Sequence, residues 1–137
     1  MKQIFTLLSI LLLAFSTFAS GSKISSQDAQ NVLLEQFELG TQISAENCIL
    51  VVRMEGPQLV FELQRPYEFP FSFAFEKKHA NAPFYLVTAG NSMGLTQELP
   101  KVQTYLQLSR TSTGNEVEMI ETMGNETRQI RCFFTAR

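Results

Sequence analysis

From Asn47 to the end of the chain, apolar and polar residues alternate with a period of two, and turn-forming residues interrupt the alternation at short intervals. This period places apolar side chains on one face of a strand, and short turns join neighbouring strands in antiparallel fashion. The pattern predicts strands at 48–54, 58–64, 67–77, 84–88, 102–110, 116–122 and 127–135. We therefore expect a mainly β fold, with α+β as the alternative, built on an antiparallel meander of about seven strands.

Glycine and proline mark the turns of this meander. Gly-Asn dipeptides at 90–91, 114–115 and 124–125 predict hairpin turns, because both residues tolerate positive φ. Pro57 and Pro66 separate the first three strands, since proline fixes φ and removes a backbone donor. The segment 91–101 shows no clear period, and both a mobile loop and an irregular sheet edge fit its composition.

One amphipathic helix is predicted before the strands, at about 27–39. Apolar residues recur there at steps of three and four, and the main ones are Ala29, Val32, Leu33 and Phe37. Ser25 and Ser26 supply a helix start, and Gly40 supplies a left-handed residue just past the end. We expect the apolar stripe of this helix to pack on the sheet.

The first 21 residues have the pattern of a secretory signal peptide. Lys2 supplies a positive start, an apolar run follows at 4–15, and small residues come next. Cleavage after Ala19 and cleavage after Gly21 both fit the pattern. We expect an exported protein, periplasmic or extracellular, with a single β-rich domain at 22–137 and no stable membrane anchor after cleavage.

Two cysteines, Cys48 and Cys132, lie in the first and last predicted strands. In an oxidising compartment they are expected to form one intramolecular disulfide. A disulfide requires Cα atoms within about 7 Å, so the two ends of the meander must meet. Both a barrel-like and a sandwich-like arrangement of the sheet satisfy that requirement.

The longest aromatic pattern lies at 67–75, where five rings share one face of an extended strand. They are Tyr67, Phe69, Phe71, Phe73 and Phe75. Burial of each ring is worth about 2–3 kcal/mol, which makes a core role the first interpretation. Two functional alternatives are an aromatic-lined cavity for a small apolar ligand and an exposed patch for a partner protein. Pro70 cannot donate to a sheet ladder, so it favours an edge strand.

The sequence contains no convincing catalytic or metal-binding group. His79 is the only histidine and lies in a segment of turn composition. Glu116 and Glu118 share one strand face, and Glu68 and Glu76 share another, so a carboxylate-based hydrolase is the enzymatic alternative. Solvated strand faces explain these carboxylates better. We expect no enzymatic activity, no metal and no cofactor.

Charge and export together favour a binding protein. Loss of Lys2 with the signal leaves a net charge of about −3 with His79 neutral, and the basic residues form no stripe suited to nucleic acid. Asn125-Glu-Thr127 matches the N-glycosylation pattern, which matters only in a eukaryotic host. The sequence predicts an exported, non-enzymatic binding protein. Its ligand is either a small apolar molecule in an aromatic-lined cavity or a partner protein at an edge strand or loop.

Overall fold

Residues 21–135 are described by the structure, a computed structural model, and antiparallel strands make up most of them. In chain order the elements are β1 (Ser22–Ile24), α1 (Ser26–Gln36), β2 (Gln42–Ala45), β3 (Cys48–Glu55), β4 (Gln58–Gln64), β5 (Phe71–Ser72), a 3₁₀ helix (Lys77–His79), β6 (Phe84–Ala89), β7 (Ser92–Glu98), β8 (Gln103–Thr111), β9 (Gly114–Met123) and β10 (Glu126–Thr135). The predicted signal peptide lies outside the described residues apart from Gly21.

Six strands form the larger sheet, in the order β1-β6-β7-β8-β9-β10. From β6 to β10 each strand pairs antiparallel with the next, as expected for a meander. β7 occupies the segment in which the sequence showed no clear period. Its inward residues Met93, Leu95 and Gln97 are buried, so the period of two is present with a glutamine at one core position.

The predicted turns at 90–91 and 124–125 are confirmed, because each pair connects two neighbouring strands. The turn predicted at 114–115 is wrong by two residues. Gly114 already belongs to β9, and the turn is formed by the two residues before it. A Cβ at Gly114 would lie 2.2 Å from the carbonyl oxygen of Phe134, so this glycine allows close strand pairing.

The smaller sheet has the order β2-β3-β4-β5. The strand predicted at 67–77 is present only as the two residues of β5, because the chain turns before β5, leaves the sheet after it and enters the 3₁₀ helix at Lys77. Tyr67 has a φ of 63°, in the left-handed region, and Pro66 and Pro70 on either side of it have no N–H to donate. Within the described sheet β5 pairs with β4 alone, so it is an edge strand, as Pro70 predicts.

Helix α1 starts where the sequence predicts and ends three residues earlier. Its start is capped by the Ser25 hydroxyl oxygen, which accepts a hydrogen bond at 3.0 Å from the N–H three residues later. Phe37 donates to the Leu33 carbonyl at 3.0 Å but is itself extended. Gly40 is therefore not the helix cap; its N–H donates to the Val52 carbonyl at 2.8 Å, and its positive φ turns the chain into β2.

Both sheets and α1 contribute to one hydrophobic core. Leu33 from α1, Phe61 from the smaller sheet and Leu95 from the larger sheet are all fully buried there. The predicted disulfide between Cys48 and Cys132 is confirmed, with Cα atoms 6.2 Å apart. It joins β3 of the smaller sheet to β10 of the larger one.

The barrel-like form of the prediction is wrong for residues 21–135, because the strands form two separate sheets that do not close on each other. The meander is interrupted between β5 and β6, where the chain passes through the 3₁₀ helix from one sheet to the other. β1, β2 and β7 also raise the number of described strands from the predicted seven to ten.

Candidate functional site

The five rings that the sequence placed on one face separate into two groups. Phe71, Phe73 and Phe75 are buried in the core, whereas the side chains of Tyr67 and Phe69 are 106% and 85% exposed. The division falls at the start of β5, where the chain first pairs with β4. The structure therefore does not bring the five predicted site residues together.

The buried rings pack against other core rings. Phe73 lies 6.4 Å from the ring of Phe61 and 5.7 Å from that of Phe84, as measured between centroids. Phe75 stacks on Phe84 at 5.5 Å. These separations are those of favourable aromatic pairs, so the burial of Phe73 and Phe75 is accounted for by neighbouring rings of the protein itself.

Tyr67 and Phe69 belong to the segment 65–70 between β4 and β5, which we call the aromatic loop. An ion pair at 2.8 Å joins Arg65 Nη2 to Glu68 Oε1 across the loop. The Glu68 N–H also donates to the Arg65 carbonyl at 3.4 Å, which makes the loop a turn. The two exposed rings flank this turn.

Arg128, on β10 of the other sheet, holds the end of the aromatic loop. Its Nη1 donates to the Phe69 carbonyl at 2.9 Å, and its Nη2 donates to the Pro70 carbonyl at 3.4 Å. Its guanidinium lies 4.1 Å from the centroid of the Phe71 ring, within cation–π range, and its Nε pairs with Glu121 at 2.9 Å. One half-buried side chain therefore fixes the loop backbone, the first residue of β5 and the end of β9.

A third exposed apolar side chain lies on β9, close in sequence to the partner of Arg128. Met123 is 44% exposed and stands two residues beyond Glu121 on β9, so both share one strand face. Glu121 pairs with Arg128, which contacts the aromatic loop. Met123 is thus a further exposed apolar side chain, two residues from the carboxylate that pairs with Arg128.

The chemistry available at this surface is non-covalent binding. Covering an exposed aromatic ring with another surface contributes about 2–3 kcal/mol to the free energy of binding. Aromatic residues and methionine are enriched in protein interfaces. Arg65, Glu68 and Arg128 provide charged groups around the rings. The arrangement is that of an apolar centre with a polar rim.

The four carboxylates considered for a hydrolase lie on three separate segments of the chain. Glu68 pairs with Arg65 in the aromatic loop, and Glu76 precedes the 3₁₀ helix at 3.7 Å from His79 Nε2. Glu116 and Glu118 are both on β9. Among residues 21–135 no three histidine, cysteine, aspartate or glutamate side chains are grouped closely enough to hold a metal ion.

Glu118 belongs to a polar cluster on the outer face of the larger sheet, which sequence reasoning missed. It accepts hydrogen bonds from Gln129 and, at 3.2 Å, from Arg131. Burial raises the pKa of Tyr105 to about 12, and the negative charge of Glu118 contributes to the rise. The Tyr105 phenol is therefore protonated at neutral pH, where it donates to Gln107.

A concave feature, which we call the helix groove, lies apart from the aromatic loop, between α1 and the strands β6, β7 and β8. Its volume is about 280 Å³. Apolar side chains form its floor and charged side chains stand at its rim: Val32, Leu86, Met93 and Leu108 below, and Glu35 and Arg110 above. Sequence reasoning did not find it, because its parts come from four elements that alternation alone does not bring together.

Within residues 21–135 no helix has the length and apolar character needed to cross a membrane. Comparisons of the chain with protein-family models, with curated proteins and with solved structures find no match.

Proposed function

We propose that this chain is an exported, non-enzymatic binding protein that binds a partner protein through the aromatic loop. One observation carries the proposal: Tyr67 and Phe69 project almost fully into solvent from a segment that Arg128 holds in place. Large apolar rings are normally buried, and their exposure on a fixed loop favours an interaction site.

The fixed backbone supports binding because it lowers the entropic cost of association. A loop that is ordered before it meets a partner loses less conformational freedom on binding. The ion pair between Arg65 and Glu68 and the hydrogen bonds from Arg128 restrict the loop in this way. Tyrosine is also among the residues that most often dominate binding energy at protein interfaces.

The structure favours a partner protein over a small apolar ligand held by the five rings. Such a ligand needs a concave site that covers most of its surface. Phe73 and Phe75 are covered by Phe61 and Phe84, and the two remaining free rings project outward on the loop. A projecting pair of rings suits a pocket on another protein.

Export remains part of the proposal. The predicted signal peptide supports it, and the disulfide between Cys48 and Cys132 is compatible with an oxidising compartment. A partner would accordingly be met in the periplasm or outside the cell.

Site-specific photo-crosslinking in the natural host tests the proposed surface. A benzophenone amino acid replaces Phe69 in one variant and Leu39, an exposed apolar residue on a different loop, in the control. We expect a discrete crosslinked partner from position 69 and none from position 39. Identical products from both positions would contradict a binding site on the loop.

The double variant Tyr67→Ser/Phe69→Ser provides the energetic test. Because both side chains are exposed, we expect the melting temperature to stay within about 2 °C of the parent protein. We expect affinity for the crosslinked partner, measured by calorimetry, to fall by at least about 100-fold. Unchanged affinity of the double variant for the partner would refute the proposal. Binding of the parent protein to lipid vesicles, with no protein partner found, would also refute it.

A further inference from the structure

The helix groove carries charged groups over an apolar floor, and it is separate from the aromatic loop. We propose that it binds a small zwitterion with an apolar side chain, such as a free aliphatic amino acid. In this arrangement Arg110 takes the ligand carboxylate, Glu35 takes its ammonium group, and the floor takes its side chain. The inference does not depend on the proposed function of the loop.

The floor lies at an open end of the hydrophobic core. Met93 on β7 and Leu108 on β8 are directly paired across the sheet, and both are nearly fully buried. Val32 and Leu86 complete the floor and are only partly buried, so an apolar group that enters the groove extends the core packing. Covering such surface is favourable in proportion to the apolar area removed from water.

Arg110 has donor capacity left for a carboxylate. Its Nε and Nη2 donate to Gln36 Oε1 at 3.2 and 2.6 Å, and Nη2 also lies 3.4 Å from the Gln36 carbonyl oxygen. Nη1 donates to no acceptor within residues 21–135. The bonds to Gln36 fix the guanidinium at the groove rim, so its remaining N–H groups are presented there at low entropic cost.

Glu35 is the reason to expect that the groove prefers a zwitterion to a simple anion. It neighbours Gln36 on α1, lines the same groove, and forms no ion pair in the part of the chain that the structure describes. A ligand with a carboxylate but no ammonium group would pair with Arg110 but would be repelled by the negative charge of Glu35. An amine without a carboxylate would pair with Glu35 but would be repelled by Arg110. A zwitterion can pair with both side chains.

The dimensions of the groove favour a small ligand bound weakly. A volume of about 280 Å³ is just below the range of about 300–1,000 Å³ usual for drug-sized molecules. The groove is open on one side, and a ligand of this size forms few contacts, so we expect a dissociation constant of about 0.1–1 mM.

Three probes of matching shape test the ligand class: leucine, isocaproate, which lacks the amine, and isoamylamine, which lacks the carboxylate. Two-dimensional NMR titration of the exported protein follows the amides at 86–94 and 108–110. We expect saturable shifts there with leucine, at an affinity at least about tenfold above that of either other probe. Equal affinities for leucine and isocaproate would overturn the assignment of Glu35, and no saturable shift with any probe would overturn the site.

Charge variants separate the two rim residues. We expect Arg110→Gln to weaken leucine binding by about tenfold or more. We expect Glu35→Gln to weaken leucine binding while strengthening isocaproate binding, a reversal of preference that general unfolding does not produce. Arg53→Gln, on the smaller sheet, removes the same charge elsewhere and should leave both affinities unchanged.

A failure of leucine binding at the groove can be distinguished from a failure of partner binding at the aromatic loop. The Tyr67→Ser/Phe69→Ser variant should bind leucine like the parent protein. If it loses leucine binding while its melting temperature is unchanged, the groove and the loop are one site and the present assignment is wrong.

Discussion

Gln97 connects the larger sheet to the segment that follows β5 through a single side chain. It is only 1% exposed, and its Nε2 donates to the Ala74 carbonyl at 2.7 Å while its Oε1 accepts from the Ala74 N–H at 2.8 Å. The amide therefore occupies both backbone groups of a residue just past β5, where no further strand pairs with the edge. It satisfies the polar groups that an edge would otherwise leave open.

Replacing this amide should be costly. We expect Gln97→Leu to lower the free energy of unfolding by about 2–3 kcal/mol, because the Ala74 N–H and carbonyl lose their partner while they remain largely covered. Urea denaturation followed by circular dichroism measures the change. Gln103→Leu is the matched control, since Gln103 is exposed on the neighbouring strand and should change stability by less than about 0.5 kcal/mol. Similar losses in both variants would contradict a specific role for the Gln97 amide.

Gln97 also shows why part of the fold escaped sequence prediction. The alternation of Met93, Leu95 and Gln97 is regular, but a glutamine at an inward position reads as polar and hides the period. Its partner, Ala74, is 23 residues away and offers only backbone groups, which leave no trace in the sequence. A contact of that kind follows from the tertiary structure alone.

At the scale of the element, the aromatic loop shows what alternation predicts and what it misses. The pattern at 67–75 correctly identified Phe71, Phe73 and Phe75 as core residues. It wrongly placed Tyr67 and Phe69 on the same face, because a period of two describes side-chain direction only where the backbone is extended. The left-handed turn at Tyr67 and the long-range contact from Arg128 decide the actual course of the chain.

The contact from Arg128 predicts how this element responds to a protease. We expect Arg128→Gln to increase the rate of chymotrypsin cleavage after Tyr67 by about tenfold, because the backbone of the loop loses its hydrogen bonds and opens more often. Limited proteolysis with mass spectrometry of the fragments measures the rate. The control is Arg131→Gln: Arg131 lies on the same strand as Arg128 but pairs with Glu118 at the surface. This variant should be cleaved at the same rate as the parent protein. Equal rates in all three proteins would show that Arg128 does not restrain the loop.

At the scale of the whole molecule, the disulfide between Cys48 and Cys132 was the most productive prediction from the sequence. It required the first and last predicted strands to meet, and they do. It did not reveal that the two cysteines lie in different sheets, because strand count and cysteine spacing are the same for one curled sheet and for two. The passage between the sheets depends on the short segment after β5, whose composition resembles that of an ordinary turn.

A bridge between sheets, closing a loop across a sequence separation of 84 residues, makes a strong prediction about stability. We expect Cys48→Ala/Cys132→Ala to lower the free energy of unfolding by about 4 kcal/mol, because the unfolded chain regains the freedom that the bridge removes. Urea denaturation without reductant measures the loss, and reduction of the parent protein should reproduce most of it. The hairpin contacts of β6 to β10 are local and do not need the bridge, so the secondary structure of the folded variant should be unchanged. A loss below about 1 kcal/mol would show that the shared core, and not the disulfide, holds the two sheets together.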